Sequence, residues 1–193
     1  MPRAKTVGKQ RVILEAATKV FATNGFQGVL IDDVAQAAGV GKGTIYRYFQ
    51  TKEELYFGTI FHGMDELGRA LEATLPREAS PTRRLERIAR EILHFFWNRR
   101  DLLTLLYADE HRFAAREEEF SKRREGVQRL VQQAILDGID RGEFRGIDAR
   151  VGAELFRGMV RAAGCFRRDD DSLDDLVAEI IGIFTRGVVK ESA

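Results

Sequence analysis

The stretch Ile31–Phe49 constrains this chain more than any other. It reads as two short helices broken at Gly39. The first puts Val34, Ala35 and Ala38 on one face, and the second puts Ile45 and Phe49 on one face, four residues apart. Gly39 falls where the turn needs a residue that tolerates positive φ. Ala35 is small enough for the second helix to cross closely, and Val40 and Ile45 fill the angle between the two. This is the spacing of a helix-turn-helix. Its second helix turns Lys42, Gly43, Thr44, Tyr46, Arg47 and Tyr48 outward, a set suited to phosphates and base edges. The plain alternative, a helical hairpin inside a core, has no use for such an outer face.

The same residues invite a rival reading. Gly39-Val-Gly-Lys-Gly-Thr44 looks like the phosphate loop of a nucleotide-binding enzyme. That loop needs glycine five residues before its Gly-Lys pair, where Gln36 stands, and serine or threonine directly after the lysine, where Gly43 stands. It also needs an apolar strand in front, and the residues in front form an amphipathic helical pattern.

Along the rest of the chain every periodic segment is helical. Residues 1–8 are expected as a loose basic arm. A first helix over 9–24 carries the stripe Val12, Ala16, Val20 with Ile13, Ala17, Phe21, and Asn24-Gly25 stops it. Thr51-Lys-Glu-Glu54 is a capping box that starts a long fourth helix to about Leu75, with Leu55, Ile60, Met64, Leu67 and Leu71 inward. Pro76–Pro81 is a break, and Ser80-Pro81 opens the next helix, to about Arg99. Further helices are expected from Asp101, from the charged run Arg112–Glu125 to near Gly142, from Asp148 to about Phe166, and from Ser172 to about Lys190. The expectation is an all-α chain of about nine helices, with a helix-turn-helix domain over residues 1–52 and a helical domain over 53–193.

Net charge is +1, so no global basic field exists. Residues 1–58 nonetheless hold eight Lys/Arg against five acids, which leaves +3 there and −2 on the remainder. A polyanionic partner at one end fits that asymmetry. Cys165 is the only cysteine, so no intrachain disulfide forms and a reducing, cytoplasmic compartment is the expectation. No apolar run approaches a membrane span, and no signal peptide is legible. Neither catalysis nor a cofactor is expected: His62, His94 and His111 share no metal-ligand spacing, and no nucleophile–base–acid set is recognisable. Glu110-His111 beside Asp109 is the one weak metal candidate, with a surface or pocket-wall histidine as the simpler reading. Cys165 precedes Arg167 and Arg168, which would favour its thiolate, but a buried structural cysteine is the simpler reading.

Gly25-Phe26, Asp33-Val-Ala-Gln-Ala-Ala-Gly-Val40, Lys42-Gly-Thr-Ile-Tyr-Arg-Tyr-Phe49 and Lys52-Glu-Glu-Leu55 together resemble the TetR family of bacterial transcription regulators, over about residues 9–58. The resemblance implies a homodimer that binds a palindromic double-stranded DNA operator and lets go when a small molecule binds. It places Lys42, Gly43 and Thr44 at the DNA, with Gly43 admitting close backbone approach. Tyr46 and Tyr48 look like phosphate contacts, and Arg47 reads guanine or clamps a phosphate. Lys52 stands at the start of the fourth helix, where free amides favour a phosphate. Two departures stand out. The hydroxyl residue usual before the second helix is absent from Val29-Leu30-Ile31, and the serine usual before Lys-Gly-Thr is Gly41.

A regulator of this kind also needs an effector cavity in its second domain. Phe61, His62, Phe95 and Trp97, with Tyr107, His111, Phe156 and Met159, are the candidate wall. So apolar a set, with few polar points, points to an apolar or aromatic effector. The last two helices carry the candidate dimer face. Leu173, Leu176, Val177, Ile180, Ile181, Phe184 and Val188 make one stripe, and Leu155, Met159 and their neighbours make another. The alternative is that both stripes pack on their own subunit. From another class altogether, a helical adaptor for protein partners stays open.

Overall fold

The computed structural model describes residues 3–74, 79–108 and 114–188. Among these are nine α-helices: α1 (Arg3–Gly28), α2 (Ile31–Ala38), α3 (Lys42–Tyr46), α4 (Lys52–Thr74), α5 (Pro81–Trp97), α6 (Arg100–Ala108), α7 (Glu117–Asp140), α8 (Ala149–Phe166) and α9 (Leu173–Val188). A 3₁₀ turn over Ala114–Arg116 leads into α7. None of the described helices is long and apolar enough to cross a membrane.

The helix ends follow the local chemistry. The Ser80 side chain accepts from the Arg83 amide and Pro81 opens α5, since a first-turn residue has no use for its N–H. Asp148 accepts from the amides of Arg150 and Val151 at the head of α8. Thr51 accepts from the Glu54 amide at 3.0 Å, while the Glu54 carboxylate reaches back to the amide of Gln50 at 2.7 Å. At the tail of α7 the chain reverses through Gly142, at φ 72°.

α1 corrects the sequence reading at its front. Residues 3–8, expected as a loose arm, already belong to the helix. Arg3, Ala4 and Lys5 favour helix, and the element runs on through Gly8, which does not. At the other end Gly25, with φ 68° and ψ 165°, breaks the helix, which then resumes as far as Gly28. Of the expected stripe, Ile13, Ala17 and Phe21 are buried, but Val12 is exposed. Leu14 takes its place in the core.

The chain divides into two compact units. One comprises Met1–Asp65 with Arg99–Glu117, the other Glu66–Asn98 with Glu118–Ala193. In the first, Tyr56 is the centre of an aromatic cluster. Phe21 and Phe26 each meet its ring edge-on at 5.1 Å, and Phe57 meets it at 5.6 Å. α6 packs on α1, and Leu102 lies so close over Gly63 of α4 that a Cβ there would collide with it. In the second unit α5 packs against α8 and α9, with Phe156 edge-on to Phe184 at 5.1 Å. Arg84 pairs with Asp137, and Arg90 with Asp174.

Gly138 in α7 is the tightest point of the second unit. Phe144, returning from the Gly142 turn and buried, lies with its ring where a Cβ on Gly138 would be, well inside van der Waals contact. Gly138→Ala is therefore expected to cost about 1–3 kcal/mol through overpacking. Its gain in helix propensity is smaller. Thermal denaturation should show a fall in Tm of several degrees.

Candidate nucleic-acid interface

The helix-turn-helix assembles as its residues demand. Val34, Ala35 and Ile45 are buried, and so is Phe49. Gly39 is left-handed (φ 63°, ψ 33°), its amide donates to the Gln36 carbonyl, and the Val40 amide donates to Ala35 at 3.0 Å. That pattern ends α2 sharply and turns the chain into α3. Regular α-helix runs only to Tyr46. Beyond it the turn tightens, with Tyr48 and Phe49 both donating to the Ile45 carbonyl at 2.9 Å. Gly39–Gly41 is thus a short turn between helices, Lys42–Thr44 already belong to α3, a helix stands in front, and the phosphate-loop reading falls.

Neither missing hydroxyl is replaced by another side-chain cap of the same kind. Leu30 caps α2 through its backbone, its amide donating to the Asp33 carboxylate at 2.7 Å while the Asp33 amide donates to the Leu30 carbonyl. Gly41 caps α3 through its carbonyl alone, which accepts from Thr44 at 2.8 Å.

The outer face of α3 carries the expected polar set. Lys42, Gly43, Tyr46 and Arg47 are exposed, and Thr44 and Tyr48 are half-buried. A Cβ built on Gly43 meets nothing within 4 Å. No internal packing therefore requires glycine there. The Arg47 guanidinium lies over the Tyr48 ring, 5.5 Å from its centroid, which limits the orientations the arginine samples. Lys42 donates to the Asp32 carboxylate at 2.7 Å. That hydrogen bond holds its ammonium above the ordinary lysine pKa.

Lys52, expected at a phosphate, has partners within its own unit. Its ammonium lies over the Phe26 ring, 4.6 Å from the centroid, and donates to the carbonyl of Val29 at 3.0 Å and more weakly to Gln27 at 3.5 Å. It ties the head of α4 to the link between α1 and α2. Sequence reasoning missed this because the carbonyls involved lie more than twenty residues upstream. It missed Asp32 for a related reason, since only the turn brings residues 32 and 42 together.

Comparison with known proteins agrees with this geometry. Residues 13–58 match the model of bacterial regulatory proteins of the tetR family, and residues 78–188 match that of the tetracyclin repressor-like C-terminal domain. The chain belongs to the TetR family. It is 30% identical to the uncharacterized HTH-type transcriptional regulator YhgD of Bacillus subtilis, over 77% of this chain and 78% of that one. It is 25% identical to the fatty acid metabolism regulator protein of the same organism, over 88% and 89%. Among solved structures, the transcriptional regulator FadR from Bacillus subtilis in complex with stearoyl-CoA superposes with a TM-score of 0.79 at 19% identity, over 92% of this chain and 98% of that one.

Within this TetR-family chain the candidate effector residues fall into both units. In the first, Phe61 is buried and stacks on Phe57 at 5.9 Å, His62 is half-buried and Tyr107 is exposed. In the second, Phe95 is buried against Phe96, Phe156 is wholly buried against Phe184, and Met159 is half-buried. Arg167 covers Trp97, its guanidinium 4.1 Å from the ring centroid and donating to the Trp97 carbonyl. His111 lies outside the described residues, as do Asp109 and Glu110.

The candidate dimer stripe splits in the same way. Val177, Ile180 and Phe184 are buried within their own subunit, because α9 turns that edge toward α5 and α8. Leu173, Leu176 and Ile181 are half-buried, and the side chain of Val188 lies outside the described residues. Among the described residues, the large apolar side chains left in the open on these two helices are Val151, Leu155, Phe166 and Ile183. Cys165, read as buried, is exposed, and partial burial raises its thiol pKa.

Proposed function

We propose that this chain is a homodimeric repressor that binds a palindromic operator through α3 and is released by a small effector with a long apolar part. Residues 1–52 read the DNA, and residues 53–193 carry effector binding and dimerisation. The observation that carries this reading is the open face of α3. A polar and aromatic surface with a glycine at its centre, needed by nothing inside the protein, suits close approach of a nucleic-acid backbone. Two copies related by a two-fold axis place their α3 helices about 34–36 Å apart, in successive major grooves. The exposed apolar side chains of α8 and α9 are the surface for that pairing.

The effector class rests on kinship. One relative is named a regulator of fatty acid metabolism, and a protein of like fold is known with stearoyl-CoA bound. A long-chain acyl thioester has the apolar length that a wall of phenylalanines would hold. An effector shifts DNA release only by its differential affinity for the bound and released forms.

The test is fluorescence anisotropy with duplexes tiling the promoter of the gene itself. One duplex should bind tightly, and stearoyl-CoA should release it. Arg47→Ala should weaken that complex by about 1–3 kcal/mol. Equal affinity for every duplex, or an Arg47→Ala variant that binds as the parent does, would refute the docking.

A further inference from the structure

We propose that Asp32 is a positioning residue for DNA binding, whose carboxylate holds Lys42 back from the duplex and so restrains its affinity and salt dependence. The inference rests on the docking of α3 described above. Asp32 lies in the first turn of α2, and Lys42 is the first residue of α3. The turn at Gly39 brings their side chains to 2.7 Å. Asp32 has no capping duty, because Asp33 closes the start of α2. Both partners are largely open to solvent, so their pair adds little to folding. Its position gives it another consequence. When DNA arrives, the ammonium must leave the carboxylate for a phosphate or be shared between them. In either case a carboxylate then faces a polyanion.

The cost is electrostatic, so it falls on operator and arbitrary sequence alike. Asp32 therefore restrains affinity for any duplex and leaves the ratio of specific to non-specific binding nearly unchanged. The same carboxylate places the Lys42 ammonium before the encounter, which limits the conformations it must surrender.

Asp32→Asn keeps the shape and removes the charge. With a mixed-sequence duplex, its affinity should rise roughly three- to tenfold at moderate salt, and the slope of log K against log salt should steepen by about one counterion. With an operator selected from a random library by the parent protein, the gain should be of similar size. In a Lys42→Ala background the same change should give a smaller gain, because only the carboxylate's own repulsion of the duplex is then relieved. A parent-like slope and parent-like non-specific affinity in Asp32→Asn would overturn the proposal, and so would an equal gain in the Lys42→Ala background. If the parent protein itself binds neither duplex at low salt, the docking of α3 fails, a result distinct from either of these.

Discussion

Replacing Leu155 and Ile183 together by glutamate is expected to leave a folded monomer that has lost its operator. Both side chains stand in the open on a single subunit, at 63% and 55% exposure, so the charges cost the fold little. In a dimer built on α8 and α9 the same four carboxylates would be desolvated against an apolar surface. Uncompensated buried charge costs about 3–5 kcal/mol. That is a change of more than about a hundredfold in the dimer constant. Sedimentation velocity should show a single species of about half the parent's mass, while circular dichroism stays helical. DNA affinity should collapse, because one half-site alone remains. Ile180 and Phe184 are poor targets for this experiment, since charging them would damage the subunit's own core. A dimer that persists in the double variant would place the interface elsewhere.

Tyr56→Ala should strongly destabilise the first unit. The ring is 1% exposed and is met by Phe21, Phe26 and Phe57. Removing a buried aromatic side chain costs about 3–5 kcal/mol, part of it for the cavity left behind. At roughly 2–4 °C per kcal/mol for a chain of this size, Tm should fall by about 10 °C. The loss should extend to function. Phe26 is shared between the Tyr56 ring and the Lys52 ammonium, so a vacancy at Tyr56 also loosens the link that holds α2 to α4. Thermal denaturation and operator binding should therefore decline together. Unchanged DNA affinity at a temperature where the variant is still folded would show that the cluster does not brace the helix-turn-helix.

The helix-turn-helix was legible because its signals are local. Gly39, Ala35, Ile45 and Phe49 each answer a backbone or packing need a few residues wide. The heads of α5 and α8 were legible for the same reason, since Ser80-Pro81 and Asp148 cap the turns directly after them. Other features depend on which neighbour a face meets, and periodicity carries no such information. The α9 stripe is real, but three-four spacing cannot tell a subunit's own core from a partner's surface. Val12 fits its helical pattern and still points outward. The position of Lys52 in the motif matches a phosphate contact, and the carbonyls that also engage it are remote in sequence and so were not legible. Val29 and Leu30 precede α2 without a hydroxyl, and the Asp33 carboxylate already satisfies the Leu30 amide.

Trp97 is the only tryptophan, and it belongs to the second unit, beneath the guanidinium of Arg167. Its emission during unfolding therefore tracks the parting of α5 from the end of α8 and is blind to the DNA-reading helices. Far-ultraviolet dichroism sees the helices of both units. The two probes give superimposable denaturation curves only if the chain melts as one cooperative whole. Any separation between them measures how independently the reading head and the helical body come apart.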